Sequence, residues 1–219
     1  MPTRRDALLL IPAGLAAAGS YAWLNRGGDA LPTLDVVGAA NAQAADVAEM
    51  TLGDPDAPVK VIEYASFTCP HCADFHRDTF KDFREQFIDT GRVHFTYREV
   101  YFDRYGLWAS MIARCAGPDR FFGVADLLYQ QQSRWAREAD AADVAASIKR
   151  IGAQAGLDAE TADACLTDAA QAEALVAWYQ ANAQSDGIRS TPSFLINGDM
   201  HAGNMGIAQL GRLVEEAGA

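Results

Sequence analysis

Hydrophobic and polar positions along the chain fall into two regimes. The stretch Val59-Lys60-Val61-Ile62-Glu63-Tyr64 is apolar and nearly alternating, which predicts a strand, and the turn cluster Gly53-Asp54-Pro55-Asp56-Ala57-Pro58 precedes it. From Pro70 to about Gly91 the apolar positions Cys72, Phe75, Phe80, Phe83 and Phe87 have helical spacing. Val93-His94-Phe95-Thr96-Tyr97-Arg98 predicts a second strand, and the helix between the two is long enough for a parallel crossover. Tyr105 to Ser185 is then helical in pattern throughout. Trp108, Met111, Ile112 and Cys115 make one stripe that Gly117-Pro118-Asp119 stops. Further helices follow over Phe121–Gln132, Asp140–Ile151, a short segment opened by Leu157-Asp158 that contains Cys165, and Ala170–Ala183. Strand pattern returns at Ser193–Asn197, with an Asn197-Gly198 turn, a short strand around Met200–Ala202 and a last helix over Met205–Ala217. One α/β domain interrupted by a helical insertion accounts for this order.

The N-terminal region has a different character. Arg4 and Arg5 precede the apolar run Ala7–Leu24, the layout of an export signal, and the paired arginines partly resemble a twin-arginine signal. Ala42-Gln43-Ala44 has the form of a cleavage site but lies well beyond the apolar run. That run is at the lower edge of a membrane span, so two outcomes stand open: a free protein, or one tethered by residues 7–24. The expected organisation is an export signal or anchor over 1–24, a flexible linker over 25–48, an α/β domain over 49–104 and 186–219, and an inserted helical unit over 105–185. Export would place the chain in an oxidising compartment, the periplasm.

Composition narrows the functional classes. The formal charge is −11; residues 1–28 hold Arg4, Arg5 and Arg26 against Asp6, a net +2, which leaves −13 on the rest. An acidic body without a basic cluster argues against nucleic-acid binding.

Chemistry concentrates at Cys69-Pro70-His71-Cys72, between the first strand and the first helix. The first turn of a helix has unpartnered N–H groups and positive potential, which lowers the pKa of a cysteine placed there. Pro70 suits that turn because its missing N–H would have had no partner. His71 adds a donor, and a positive charge when protonated. Stabilising the Cys69 thiolate makes the Cys69–Cys72 disulfide a stronger oxidant. Glu63 stands six residues ahead of Cys69, either facing the surface of an alternating strand or buried beneath the dithiol, where it could exchange a proton with Cys72.

Taken together, the strand, Cys-Pro-His-Cys, the inserted helices and Thr191-Pro192 before the last hairpin resemble the DsbA-like thiol oxidoreductases of the thioredoxin superfamily, over roughly residues 50–217. The run Val61–Phe67 also looks like the family's strand into the site, and the matching position of its acid favours a buried Glu63. The resemblance implies a thioredoxin fold interrupted by an all-helical domain, with Cys69 as exposed nucleophile, Cys72 as resolving partner and His71 tuning the potential. It also implies a cis Thr191–Pro192 bond beside the dithiol, where the Thr191 backbone can bind an extended substrate. The reaction implied is transfer of the Cys69–Cys72 disulfide to folding exported client proteins, by a monomer that a DsbB-like quinone-linked membrane oxidase recharges, with no cofactor or metal.

Cys115 and Cys165 either pack as small hydrophobes or pair with each other, and the resemblance to family members with a second, non-catalytic disulfide favours pairing. Two rival functions remain: a thiol–disulfide reductase, and a metal-binding module in which Cys69, Cys72 and His76 supply ligands. The metal reading lacks a second ligand pair. An isomerase would need a dimerisation domain, for which the residues before Asp54 offer no candidate. Tyr97-Arg98-Glu99 and Trp135 are expected to serve packing or a surface, and His94 and His201 have no partner cluster.

Overall fold

The structure is a computed structural model that describes residues 47–218. The expected export segment, the expected cleavage site at Ala42-Gln43-Ala44 and all of the expected linker except residues 47 and 48 lie outside the described residues. Among the described residues no helix is long and apolar enough to cross a membrane.

A five-stranded sheet forms the centre. Its strands are β1 (Met50–Leu52), β2 (Val59–Ala65), β3 (Val93–Glu99), β4 (Ser193–Ile196) and β5 (Asp199–Ala202), in the spatial order β1-β3-β2-β4-β5. β2 and β3 are parallel and the other pairs antiparallel. Joining the parallel pair is α1, residues 70–88, the crossover that the pattern predicts. β1 is a strand that the hydrophobic pattern does not reveal, because three residues are too few to show a period; its register, Met50 opposite Tyr97, comes from pairing with β3. The closing hairpin turns on Asn197 (φ 49°) and Gly198 (φ 95°), the left-handed pair that Asn-Gly adopts most readily.

Within α1 two turns are π-helical, His76–Phe80 and Arg84–Ile88. Phe75 and Phe80 are five residues apart, one more than an α-helical turn places on a single face. The inserted residue of the π turn keeps both rings inward, 6.2 Å apart, and draws His76 inward with them. Phe83 and Phe87 continue the buried face, onto which the last helix, α8 (Ile207–Glu216), packs through Gly211; a Cβ there would lie 3.1 Å from the Phe87 ring.

Between β3 and β4 stand six helices: α2 (Arg104–Cys115), α3 (Pro118–Gln130), α4 (Gln132–Trp135), α5 (Ala141–Gln154), α6 (Ala159–Thr167) and α7 (Ala169–Ser185). Asp103, Asp140, Asp158 and Asp168 cap α2, α5, α6 and α7, each accepting a backbone N–H of the first turn. Pro118 opens α3 after Gly117, whose φ of 83° suits glycine. The architecture is thus a mixed sheet with a helical insertion, and one continuous core joins Phe95 and Tyr97 of the sheet to Phe121 and Leu128 of α3. Glu99, expected to serve packing or a surface, is buried against Arg114 of α2 with N–O distances of 2.6 and 2.7 Å, while Trp135 fills the core at 1% exposure.

Candidate active site

Cys69 occupies the N-cap of α1 and Pro70 its first position. No side-chain hydrogen bond closes this cap, and the N–H groups of His71 and Cys72 at the helix start favour negative charge on the sulfur. Cys69 Sγ lies 3.4 Å from the carbonyl oxygen of Thr191, which brings the β4 approach to the dithiol although the two residues are 122 apart in the chain. The Thr191–Pro192 bond is cis.

The two cysteines are chemically unequal. A hydrogen bond from the Cys72 thiol, with help from the backbone N–H groups of Cys72 and His71, outweighs partial burial and lowers the Cys69 pKa from 9.0 to about 5. The Thr191 hydroxyl has no hydrogen-bond partner within the described protein. Cys72 is fully buried, and burial, its bond to Cys69 and the negative charge of Glu63 push its thiol far above the ordinary range. At neutral pH the reduced site is therefore a thiolate at Cys69 over a protonated Cys72.

His71 contributes through its backbone. Its imidazole is 75% exposed and lies 4.0 Å from Asp74, so the ring faces solvent and a carboxylate. Glu63 is fully buried in mid-sheet, between Tyr97 of β3 and Phe194 of β4. His76 Nε2–H donates to both Glu63 oxygens, at 3.0 and 3.1 Å, and the ring stacks on Tyr129 at 4.2 Å. The C-x2-C-x3-H spacing thus aims His76 at the acid instead of completing a ligand set with the sulfurs. Among the described residues no group of three or more His, Cys, Asp or Glu side chains is arranged to hold a metal ion.

Several site residues escape sequence reasoning. Gln132 of α4 donates to the carbonyls of Phe67 and Cys69 at 2.8 and 2.9 Å, fastening the helical unit to the active-site loop. Asp103 caps α2 with one oxygen and accepts from Thr68 with the other at 2.7 Å. Both contacts span more than thirty residues, and no local period signals them; the acidic cap before an apolar run was the only available cue for Asp103. Beside Thr191 the surface forms a shallow cavity of about 70 Å³ that Phe102, 60% exposed, borders together with Ile188 and Arg189.

Cys115 and Cys165 form a disulfide between the end of α2 and α6, apart from the reactive pair. Cys69 and Cys72 are both free thiols.

Comparison with known proteins agrees with this arrangement. A family model described as Thioredoxin matches residues 45–216. A putative protein-disulfide oxidoreductase of Rickettsia bellii is 31% identical over 173 residues, which are 78% of this chain and 65% of that protein. Disulfide bond formation protein D of Bacillus subtilis is 32% identical over 121 residues, 50% of this chain and 54% of the relative. The crystal structure of Wolbachia pipientis alpha-DsbA1 superposes with a TM-score of 0.72 at 28% identity, covering 77% of this chain and 90% of that one. The chain spans somewhat under two thirds of the length of the rickettsial relatives it matches. With Cys69 capping the helix after β2 and the cis Thr191–Pro192 bond beside it, this chain belongs to the thioredoxin family, as a DsbA-like member.

Proposed function

We propose that the protein is a thiol:disulfide oxidoreductase working as an oxidase, which passes its Cys69–Cys72 disulfide to exported client proteins as they fold. The asymmetry of the two thiols carries this reading. A Cys69 pKa of about 5 favours the reduced site at neutral pH, so its disulfide tends to be given away. The names of the rickettsial and Bacillus relatives, which refer to disulfide oxidoreduction and disulfide bond formation, agree with it.

In the reaction a client thiolate attacks Cys69 Sγ, and Cys72 leaves as a thiolate that takes up a proton. A second client thiolate then attacks the client sulfur of the mixed disulfide and expels Cys69, which stays ionised. Two electrons pass from the client dithiol to the enzyme pair. Thr191 and Pro192 would hold the extended client beside Cys69, Pro70 and the backbone of His71 would shape the thiolate's surroundings, and Glu63 would exchange the Cys72 proton. A DsbB-like quinone-linked membrane oxidase would restore the disulfide. The Arg4-Arg5 n-region and the apolar run to Leu24 support a periplasmic location, as a soluble monomer or tethered by residues 7–24.

The test is to mix the oxidised protein with a reduced two-cysteine peptide and follow the peptide's disulfide. Stoichiometric peptide oxidation that Cys69→Ser abolishes is expected. If the oxidised protein leaves the peptide reduced, while the reduced protein opens peptide disulfides, the direction is that of a reductase.

A further inference from the structure

The exchange steps use Glu63 but leave its buried partner, His76, without a role. Both side chains are almost without exposure, and a carboxylate this deep normally needs a charged or strongly donating partner. Glu63 is close enough to Cys72 for its charge to oppose a thiolate there. On its other side, His76 lines a cleft of about 320 Å³ between α1 and α3, with Phe80 and Phe122 beside it. One imidazole therefore touches both the buried acid and a space open to solvent.

We propose that His76 is the positioning residue that fixes Glu63 near Cys72 and relays its proton to and from water in the cleft. This rests on the dithiol exchange proposed above, though not on its direction. When a client sulfur bonds to Cys69, the electron pair of the Cys69–Cys72 bond leaves on Cys72 Sγ. The Nε2 proton of His76 passes to the Glu63 carboxylate and from it to that sulfur, while Nδ1 of the imidazole takes up a proton from solvent in the cleft. One solvent proton thus ends on Cys72 and the carboxylate stays ionised. No electrons travel along the relay, and it runs in reverse when Cys72 must ionise to attack a mixed disulfide.

The neighbours leave this as the route with an outlet. Tyr97 and Tyr129 join hydroxyls at 2.6 Å, and burial together with the nearby Glu63 charge keeps both protonated. From the α1 side Arg77, Lys81 and Arg84 face the cleft, and Asp126 faces it from α3. Arg77 is held by Asp74 and Asp78, and Arg84 by Asp89. The charge nearest the imidazole on the protein side is Glu63 itself, at 3.0 Å.

The experiment is to trap Cys69 as its mixed disulfide with glutathione and to time resolution by Cys72 between about pH 5 and 9, where proton release from Cys72 limits the rate. Wild type is compared with His76→Gln, His76→Ala and Glu63→Gln, each checked for its melting temperature. His76→Gln should slow resolution about 10- to 100-fold near neutrality and alter its pH profile, while attack of the reduced Cys69 thiolate on oxidised glutathione, which moves no proton at Cys72, keeps its rate. His76→Ala opens the pair to the cleft, and added imidazole should restore its rate in proportion to concentration. Resolution by His76→Gln within about twofold of wild type, or no response of folded His76→Ala to imidazole, overturns the relay. Failure to form the mixed disulfide at Cys69 in the wild-type protein would instead overturn the dithiol reading beneath it.

Discussion

Replacing Cys72 dissects the Cys69 thiolate. The leading cause of the low Cys69 pKa is the hydrogen bond from Cys72, and the supporting donors are the backbone N–H groups of residues 71 and 72. A hydrogen bond to a charged acceptor contributes about 1.5–3 kcal/mol, which is roughly 1–2 pKa units. Cys72→Ala removes that donor and keeps the backbone ones, so the Cys69 pKa should rise from about 5 to roughly 6–7. Cys72→Ser retains an O–H donor in nearly the same place and should hold Cys69 within about half a unit of its original value. Titrating the thiolate by its ultraviolet absorbance reads this directly, because the remaining cysteines are joined as Cys115–Cys165. Equal pKa values in the Ala and Ser variants would refute the thiol donor and move the credit to the helix N-terminus.

Three further outcomes follow from the packing. Cys115→Ala/Cys165→Ala opens a bridge spanning a sequence separation of 50, and loop entropy puts the loss near ~4 kcal/mol in chemical denaturation, with the Cys69 titration unmoved. Glu99→Gln leaves Arg114 buried without its bidentate carboxylate and should cost about 3–5 kcal/mol by the same measurement. Gly53→Ala places a Cβ 2.4 Å from the Val93 carbonyl at a φ of +86°, whereas Gly91→Ala at +76° meets nothing within 4 Å. Both variants are strained, at about 1–3 kcal/mol for the backbone alone, and Gly53→Ala should melt clearly lower than Gly91→Ala.

The parallel crossover and the run of helices were legible because long segments repeat a period, and Asn197-Gly198 carries its own turn chemistry. The Cys-Pro-His-Cys stretch marked the site because a helix N-terminus and two thiols are local features. The partner of Glu63 was not legible. His76 has i+4 spacing from Cys72, which suggests a shared face with the sulfurs, and the π turn that begins at His76 redirects it toward the sheet. His71 drew attention by its place between the cysteines, yet its ring lies outside, because the first turn points that position at solvent. Gln132 and Asp103 act across the seam between helical unit and sheet, where only tertiary packing decides which residues meet.

The central claim is that an ionised Cys69 drives disulfide donation, and the potential of the Cys69–Cys72 pair as a function of pH tests it most directly. At pH 7 a thiol shifted from 9.0 to about 5 favours the reduced site by about 2.7 kcal/mol, roughly 60 mV for a two-electron couple. The sign follows from the depressed pKa: this contribution grows as pH rises above about 5 and vanishes as pH falls through it. Equilibrium with glutathione should give a potential well above the ~−270 mV of thioredoxin. It should fall by about 30 mV per pH unit above pH 5, where one proton accompanies two electrons, and by about 59 mV per unit below. A potential at or below thioredoxin's, or a two-proton slope running unbroken through pH 7, would contradict the account.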